Sequence, residues 1–210
     1  MSTTDRIVKY KLTEETIVVR GNTLHRIEAL KDFSDVKKGD KGGYVQAVNN
    51  LSQDGDCWVY DNAKVFGNAR VDNYAKVANY AKVYDNARVF GNAQVYEHAQ
   101  VYEHAQVSGN AWVYEHAEVS GNVWAYDNAK MFGNAVATRK VATMNTIKHR
   151  ITITDNHICI GCEQKTFEEW ENWLASDEEL QTPRRDPYFQ QIRCTIEHII
   201  EMHKLQQQTK

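Results

Sequence analysis

An all-β solenoid is the fold class this sequence predicts, and three observations predict it. From Val59 to Val136 the chain states one hexapeptide thirteen times: VYDNAK, VFGNAR, VDNYAK, VANYAK, VYDNAR, VFGNAQ, VYEHAQ, VYEHAQ, VSGNAW, VYEHAE, VSGNVW, AYDNAK and MFGNAV. A short fixed period means units that bury their apolar faces only against neighbouring units. The first position is almost always Val and the fifth almost always Ala. A β-branched side chain suits a buried, pleated position, and Ala marks a site that admits only a small group. Between them stand Asp-Asn, Gly-Asn or Glu-His pairs, and Asn, Asp, His and Gly tolerate positive φ. Each hexapeptide therefore reads as one short strand and one tight bend. Three bends close a triangle of eighteen residues, and such coils stack at about 4.8 Å around a Val-Ala interior.

The remaining elements follow in chain order. In residues 1–40, RIVKYKL, TIVVRG and TLHRIEALKDF alternate as strands around a Gly-Asn turn signal. They are expected to cap the open end of the prism, which otherwise offers unpaired edges to other chains. A Gly-rich turn then leads into the coils. Carried through the fifth position, the phase runs back over Cys57, Leu51 and Val45 and forward over Val141, Ile147 and Ile153. Residues 41–148 are then six uninterrupted coils. Residues 149–163 read as closing strands. Residues 164–210 hold an amphipathic helix with Phe167, Trp170 and Leu174, a break at TPRRDP, and a second helix. In that second helix Ile192, Ile196, Ile199 and Ile200 form an apolar stripe. Its cover is expected to be the last coil or a second subunit in a homo-oligomer.

Two stretches carry a resemblance. RIEALKDFSDVKKGDKGGYVQAVNNLSQDGDCWVYDNA resembles the opening of YdcK-type β-helix proteins and of short relatives in phages and mobile elements. ITITDNHICIGCEQKTFEEWENW is similar to the closing segment of the shorter relatives. The hexapeptides themselves look like those of left-handed parallel β-helices, and the left hand is implied by that likeness alone. The resemblance covers most of residues 8–174 and implies a mobile-element setting. It carries no catalytic residues over.

Composition excludes several classes. A net charge of −3 supplies no basic field for nucleic acid. No apolar run approaches a membrane span, and no signal peptide precedes the repeats. The four cysteines do not make a secreted disulfide framework, so a cytoplasmic protein is expected. No cofactor is implied.

Candidate sites are read against their structural alternatives. His98 and His116 stand eighteen residues apart, stacked on adjacent coils beside Glu97 and Glu115, with Glu103 and His104 at the next corner. Such a group suits metal or acid–base work. The alternative, which we favour, is that His replaces Asn at a left-handed corner. Second positions form outward ladders: Tyr60, Ala78, Tyr96, Tyr114 and Phe132; Phe66, Tyr84, Tyr102 and Ser120; Asp72, Phe90, Ser108 and Tyr126. An exposed aromatic stripe marks an interface more often than a purely structural stack. Tyr96, Tyr102, Tyr114 and Trp112 are thus candidate contact residues. Lys64, Arg70, Lys76, Lys82 and Arg88 form a basic ring that reads as a solvated surface. His157, Cys159 and Cys162 give half of a zinc pattern without a second pair, so no metal site is expected.

Two functions compete. One is a non-catalytic module that binds a host protein or sequesters a small nucleotide, for example as a counter-defence inhibitor. The other is an acyl-CoA-dependent hexapeptide acyltransferase, a class implying a catalytic His in a cleft and a projecting loop. Here the histidines belong to the repeat, which favours binding.

Overall fold

The computed structural model describes residues 8–139, 141–145, 150–176, 178–180, 182 and 184–208. The hexapeptides wind into a parallel β-solenoid of about five coils with three flat faces. Each rung is two residues long, a sixth position followed by a first, as in Lys64–Val65 and Gln100–Val101. It pairs in parallel with the rung eighteen residues on, so Val59 meets Val77 and Val83 meets Val101. The first face stacks Trp58–Val59, Lys76–Val77, Gln94–Val95, Trp112–Val113 and Lys130–Met131. The second holds the rungs at Lys64, Lys82, Gln100, Glu118 and Val136; the third holds those at Arg70, Arg88, Gln106 and Trp124. From Ala63 to Val119 every first-position Val and fifth-position Ala is fully buried. Burying each Val contributes roughly 1.5–3 kcal/mol, which explains why the pattern holds so strictly.

The bends differ from the expectation. Positive φ falls on the third position, not on the fourth-position His: 58° at Glu97, 57° at Glu103 and 57° at Glu115. A glutamate held there costs on the order of 1 kcal/mol. The return is local. Second-, fourth- and sixth-position N–H groups bond to the next coil, as Tyr60 N, Asn62 N and Lys64 N do, and third-position N–H groups are reached by side chains. Asn79 N donates to Asp61 Oδ2 at 3.1 Å, Gly121 N to Glu103 Oε2 at 2.6 Å and Gly133 N to Glu115 Oε2 at 2.7 Å.

The repeat phase also breaks at both ends. Val45 pairs with Val65, and Leu51 bridges Val71, so both are first-position residues rather than fifth. The block from Leu51 to Trp58 therefore contains two extra residues, placed before the corner at Gly55. That insertion docks the cap: Lys9 N donates to Gln53 Oε1 at 2.8 Å, and Lys9 Nζ donates to Cys57 O at 3.0 Å. Tyr10 Oη donates to Leu51 O at 2.7 Å. At the other end the parallel rungs stop at Ala137. Thr138 O, one residue early, lies over Gly121. Arg139 stands where earlier coils have Gly, Asp, Asn or Glu. The sixth coil is thus not made, and the expected interior position Ile147 lies outside the described residues.

The N-terminal strands β1 (Tyr10–Val19), β2 (Asn22–Ala29) and β3 (Lys41–Val45) form an antiparallel extension of the second face. Tyr10, Ile27 and Ala29 join the solenoid core, while Leu24 packs outside it on Phe66 and Tyr84. At the far end, strands Ala142–Asn145, Arg150–Ile153, His157–Ile160 and Glu163–Thr166 form an antiparallel sheet. Val136 N donates to Asn156 Oδ1 and Thr138 N to Asp155 Oδ2, both at 2.8 Å, so turn residues of this sheet cover the last rung's edge.

Two helices close the chain. Helix α1 (Phe167–Ala175) starts at a capping box: Glu169 N donates to Thr166 Oγ1 and Thr166 N to Glu169 Oε2. Helix α2 (Pro187–Gln208) buries Ile192, Ile196, Ile199 and Ile200. Their cover is Ile151, Ile158, Ile160, Trp170 and Trp173 of the same chain. The need for cover that suggested a second subunit is met internally. No described helix is long and apolar enough to cross a membrane, and the four cysteines are free thiols.

Candidate functional site

The hexapeptide places each second-position ring one rung above its equivalent, and the structure stacks them. On the first face Tyr96 lies 5.0 Å from Tyr114, which lies 5.3 Å from Phe132, with near-parallel planes. Trp112 adds an edge contact to Tyr96 at 6.3 Å, and Lys130 Nζ sits 5.0 Å over the Trp112 ring. At the corner beside this face, Tyr80, His98 and His116 form a second ladder with ring spacings of 5.2 Å. Tyr80, His98 and His116 are exposed, while Tyr96 and Tyr114 are half-buried. Burial, then the neighbouring Tyr96 and Glu115, push the Tyr114 hydroxyl up to about 12, so it stays a neutral hydrogen-bonding group.

The sequence candidates are not all brought together. Tyr96, Trp112, Tyr114, His98, His116, Glu97 and Glu115 share the first face and its corner. Tyr102 belongs to the second face, stacked at 5.0 Å on Tyr84, with its Oη donating to Glu118 Oε2 at 3.1 Å. His104 and Glu103 stand at the corner beyond it. No Glu–His dyad forms: the carboxylates of Glu103 and Glu115 accept the N–H groups of Gly121 and Gly133. Among the described residues no three His, Cys, Asp or Glu side chains are grouped to share a metal ion. The basic ring is split among the three faces, with Lys76 paired to Asp35 at 3.0 Å and Arg88 to Asp72 at 3.8 Å. Cys159 is buried, which pushes its thiol up to about 12, while Cys162 is exposed.

Sequence reading missed what covers the ladders. Phe66 and Tyr84 are 3% and 4% exposed because the β1–β2 hairpin lies over them, with the Arg20 guanidinium 4.4 Å from the Tyr84 ring. It also passed over the gap that Ala78 leaves in the first ladder, where a cavity of about 290 Å³ opens between Tyr60 and Tyr96. The corner rings Tyr74 and Tyr80 were legible as fourth-position tyrosines in VDNYAK and VANYAK. A larger cavity of about 650 Å³ lies between the closing sheet and α2, lined by Met144, Phe167, Ile199 and Met202; Ile199 of the apolar stripe borders it, and no residue of the aromatic ladders does.

With this geometry, the comparisons with known proteins are specific about the repeat. A model of the YdcK β-solenoid repeat matches residues 81–97, the stretch that ends at Tyr96 and Glu97. That stretch is similar to the YdcK-type repeat. It is also 36% identical over 61 residues to the "uncharacterized acetyltransferase YdcK" of Escherichia coli strain K12. That match covers 25% of this chain and 19% of the relative, so the chain spans about a fifth of the curated protein it resembles.

Proposed function

We propose that this protein is a non-catalytic binding module whose working surface is the first face and its corner. The observation that carries the reading is the open double ladder, Tyr96–Tyr114–Phe132 beside Tyr80–His98–His116. Tyrosine offers large contact area with few torsions to freeze, and a rigid solenoid presents it already ordered. The histidines are rungs of a stack, and the Glu115 carboxylate beside His116 is engaged by the Gly133 N–H rather than by an imidazole, so the pair is not set up for acid–base work. The partner fitting a mobile-element setting is a host protein; a second copy of the chain is the alternative occupant. The test is capture on the immobilised full chain, read by mass spectrometry, against a Tyr96→Ala/Tyr114→Ala variant. Loss of the captured partner, or of self-association by light scattering, with an unchanged far-ultraviolet spectrum supports the reading. Retention of both overturns it.

A second reading, acetyl transfer from acetyl-CoA, is favoured by the partial similarity to a protein named as an uncharacterized acetyltransferase. Its test is acetyl-CoA consumption with amine and hydroxyl acceptors. Turnover by the parent chain that vanishes in His98→Ala, His104→Ala or His116→Ala replaces the binding reading.

A further inference from the structure

The first and second ladders differ by one missing rung. On the second face Phe66, Tyr84 and Tyr102 follow without a gap at spacings of 5.1 and 5.0 Å. On the first face the same column reads Tyr60, Ala78, Tyr96, and Ala78 has no ring to place between its neighbours. Tyr60 and Tyr96, two rungs apart, therefore line a shared cavity of about 290 Å³ floored by Ala78. Tyr96 already stacks on Tyr114 with its other side, so its plane is fixed. Tyr60 is fixed as well, because its Oη donates to Asp35 Oδ1 at 2.8 Å.

We propose that this slot binds a planar heteroaromatic guest, a purine nucleobase in free or nucleoside form, which takes the place of the absent rung. A solenoid holds its rungs about 4.8 Å apart regardless of side chain, so the slot cannot collapse to fill itself. A guest ring finds the stacking geometry of the neighbouring rungs ready made, and base–aromatic stacking accepts any base. The rim selects among bases. Gln94 lines it with a carboxamide, the group that pairs bidentately with an adenine edge. The carboxylates of Asp35 and Asp61 flank it, and the Lys76 ammonium lies 3.0 Å from Asp35 and 5.4 Å from the Tyr60 ring centroid. Two carboxylates against one ammonium leave the rim negative, which disfavours a phosphate and points to adenosine rather than a nucleotide. This inference goes beyond the proposed protein-binding surface and shares only Tyr96 with it.

The experiment is isothermal titration of the full chain with adenosine, guanosine, ATP and N-acetyltryptophanamide, repeated on Ala78→Phe. Ala78→Phe restores the ladder and leaves Tyr114, His98 and His116 in place, so partner capture by that same variant is read independently. The expected result is adenosine binding with one site per chain, weakened at least about tenfold in Ala78→Phe. Should Ala78→Phe fail to fold, Tyr96→Leu, which removes one stacking wall, is expected to give the same loss. Absence of adenosine binding at millimolar concentration, or equal binding by both variants, overturns the proposal. ATP binding tighter than adenosine overturns the phosphate-free assignment. N-acetyltryptophanamide binding in adenosine's place reassigns the slot to a protein side chain.

Discussion

The second-face ladder and the first-face ladder are built from the same hexapeptide, at the same 5.0 Å spacing, yet only one of them is covered. Phe66 and Tyr84 lie under the β1–β2 hairpin, clamped by Leu24 and Arg20. Tyr96 and Tyr114 have no such cover, and beside them the exposed rings of Tyr80, His98 and His116 continue the surface. Stacking alone therefore does not separate a structural ladder from a recognition surface. What separates them is a segment from far away in the chain, and it covers only one.

Removing a ring from each ladder breaks the comparison most sharply. Tyr84→Ala opens a hole beneath the hairpin and is expected to cost about 3 kcal/mol in urea denaturation. Tyr114→Ala removes a half-exposed ring with its stacking, about 1 kcal/mol. Equal losses would mean that both ladders are structural. Ala99→Leu, inside the prism that both ladders share, is expected to cost roughly 1–3 kcal/mol by overpacking while sparing neither face. A neutral result would reject the Val-Ala register.

The corners give a smaller, opposite effect. Glu97→Gly at φ 58° relieves a left-handed glutamate and is expected to raise stability by roughly 0.5–1 kcal/mol. Glu115→Gly relieves the same strain but loses the bond to Gly133 N, so it should fall short of that gain. Thermal midpoints of the two single variants check the difference.

Acid titration addresses the point where the cap meets the open face. Lys76, then Tyr60, hold the Asp35 carboxyl down from 3.8 to about 2. A lowered carboxylate contributes stability above pH 3.8 that disappears as pH falls through about 2. Since the Asp35 side chain is 57% exposed, solvent screening keeps the contribution small. Between pH 5 and pH 2 the midpoint advantage of the parent over Asp35→Asn is expected to shrink. A constant advantage would show that the ion pair is not its source.

Much of this was readable from residue types. Val and Ala in positions one and five fixed the interior, because a pleated, buried position discriminates strongly by shape. Tyr96, Tyr114, His98 and His116 could be placed on one side of the prism by counting eighteens. Counting could not detect the two extra residues before Gly55, since SQDGDC keeps a plausible corner composition in either phase. It misassigned the left-handed residue to His98 rather than Glu97, because propensity favours His while the third-position N–H rewards a carboxylate reaching between coils. Nor could local pattern show that β1 and β2 fold over Tyr84, or that α2 hides Ile192, Ile196, Ile199 and Ile200 against the closing sheet. Both are long-range packing choices, fixed by which face remains unpaired after the coils have stacked.

The central claim is that the open ladder recognises a partner while the covered one holds the fold. Its most direct measurement pairs two readouts, partner capture and urea midpoint, on Tyr96→Ala/Tyr114→Ala and on Tyr84→Ala. The double variant is expected to lose the captured partner and keep most of its stability; Tyr84→Ala is expected to do the reverse, losing stability and keeping the partner while folded. A double variant that captures every partner of the parent chain would contradict the claim.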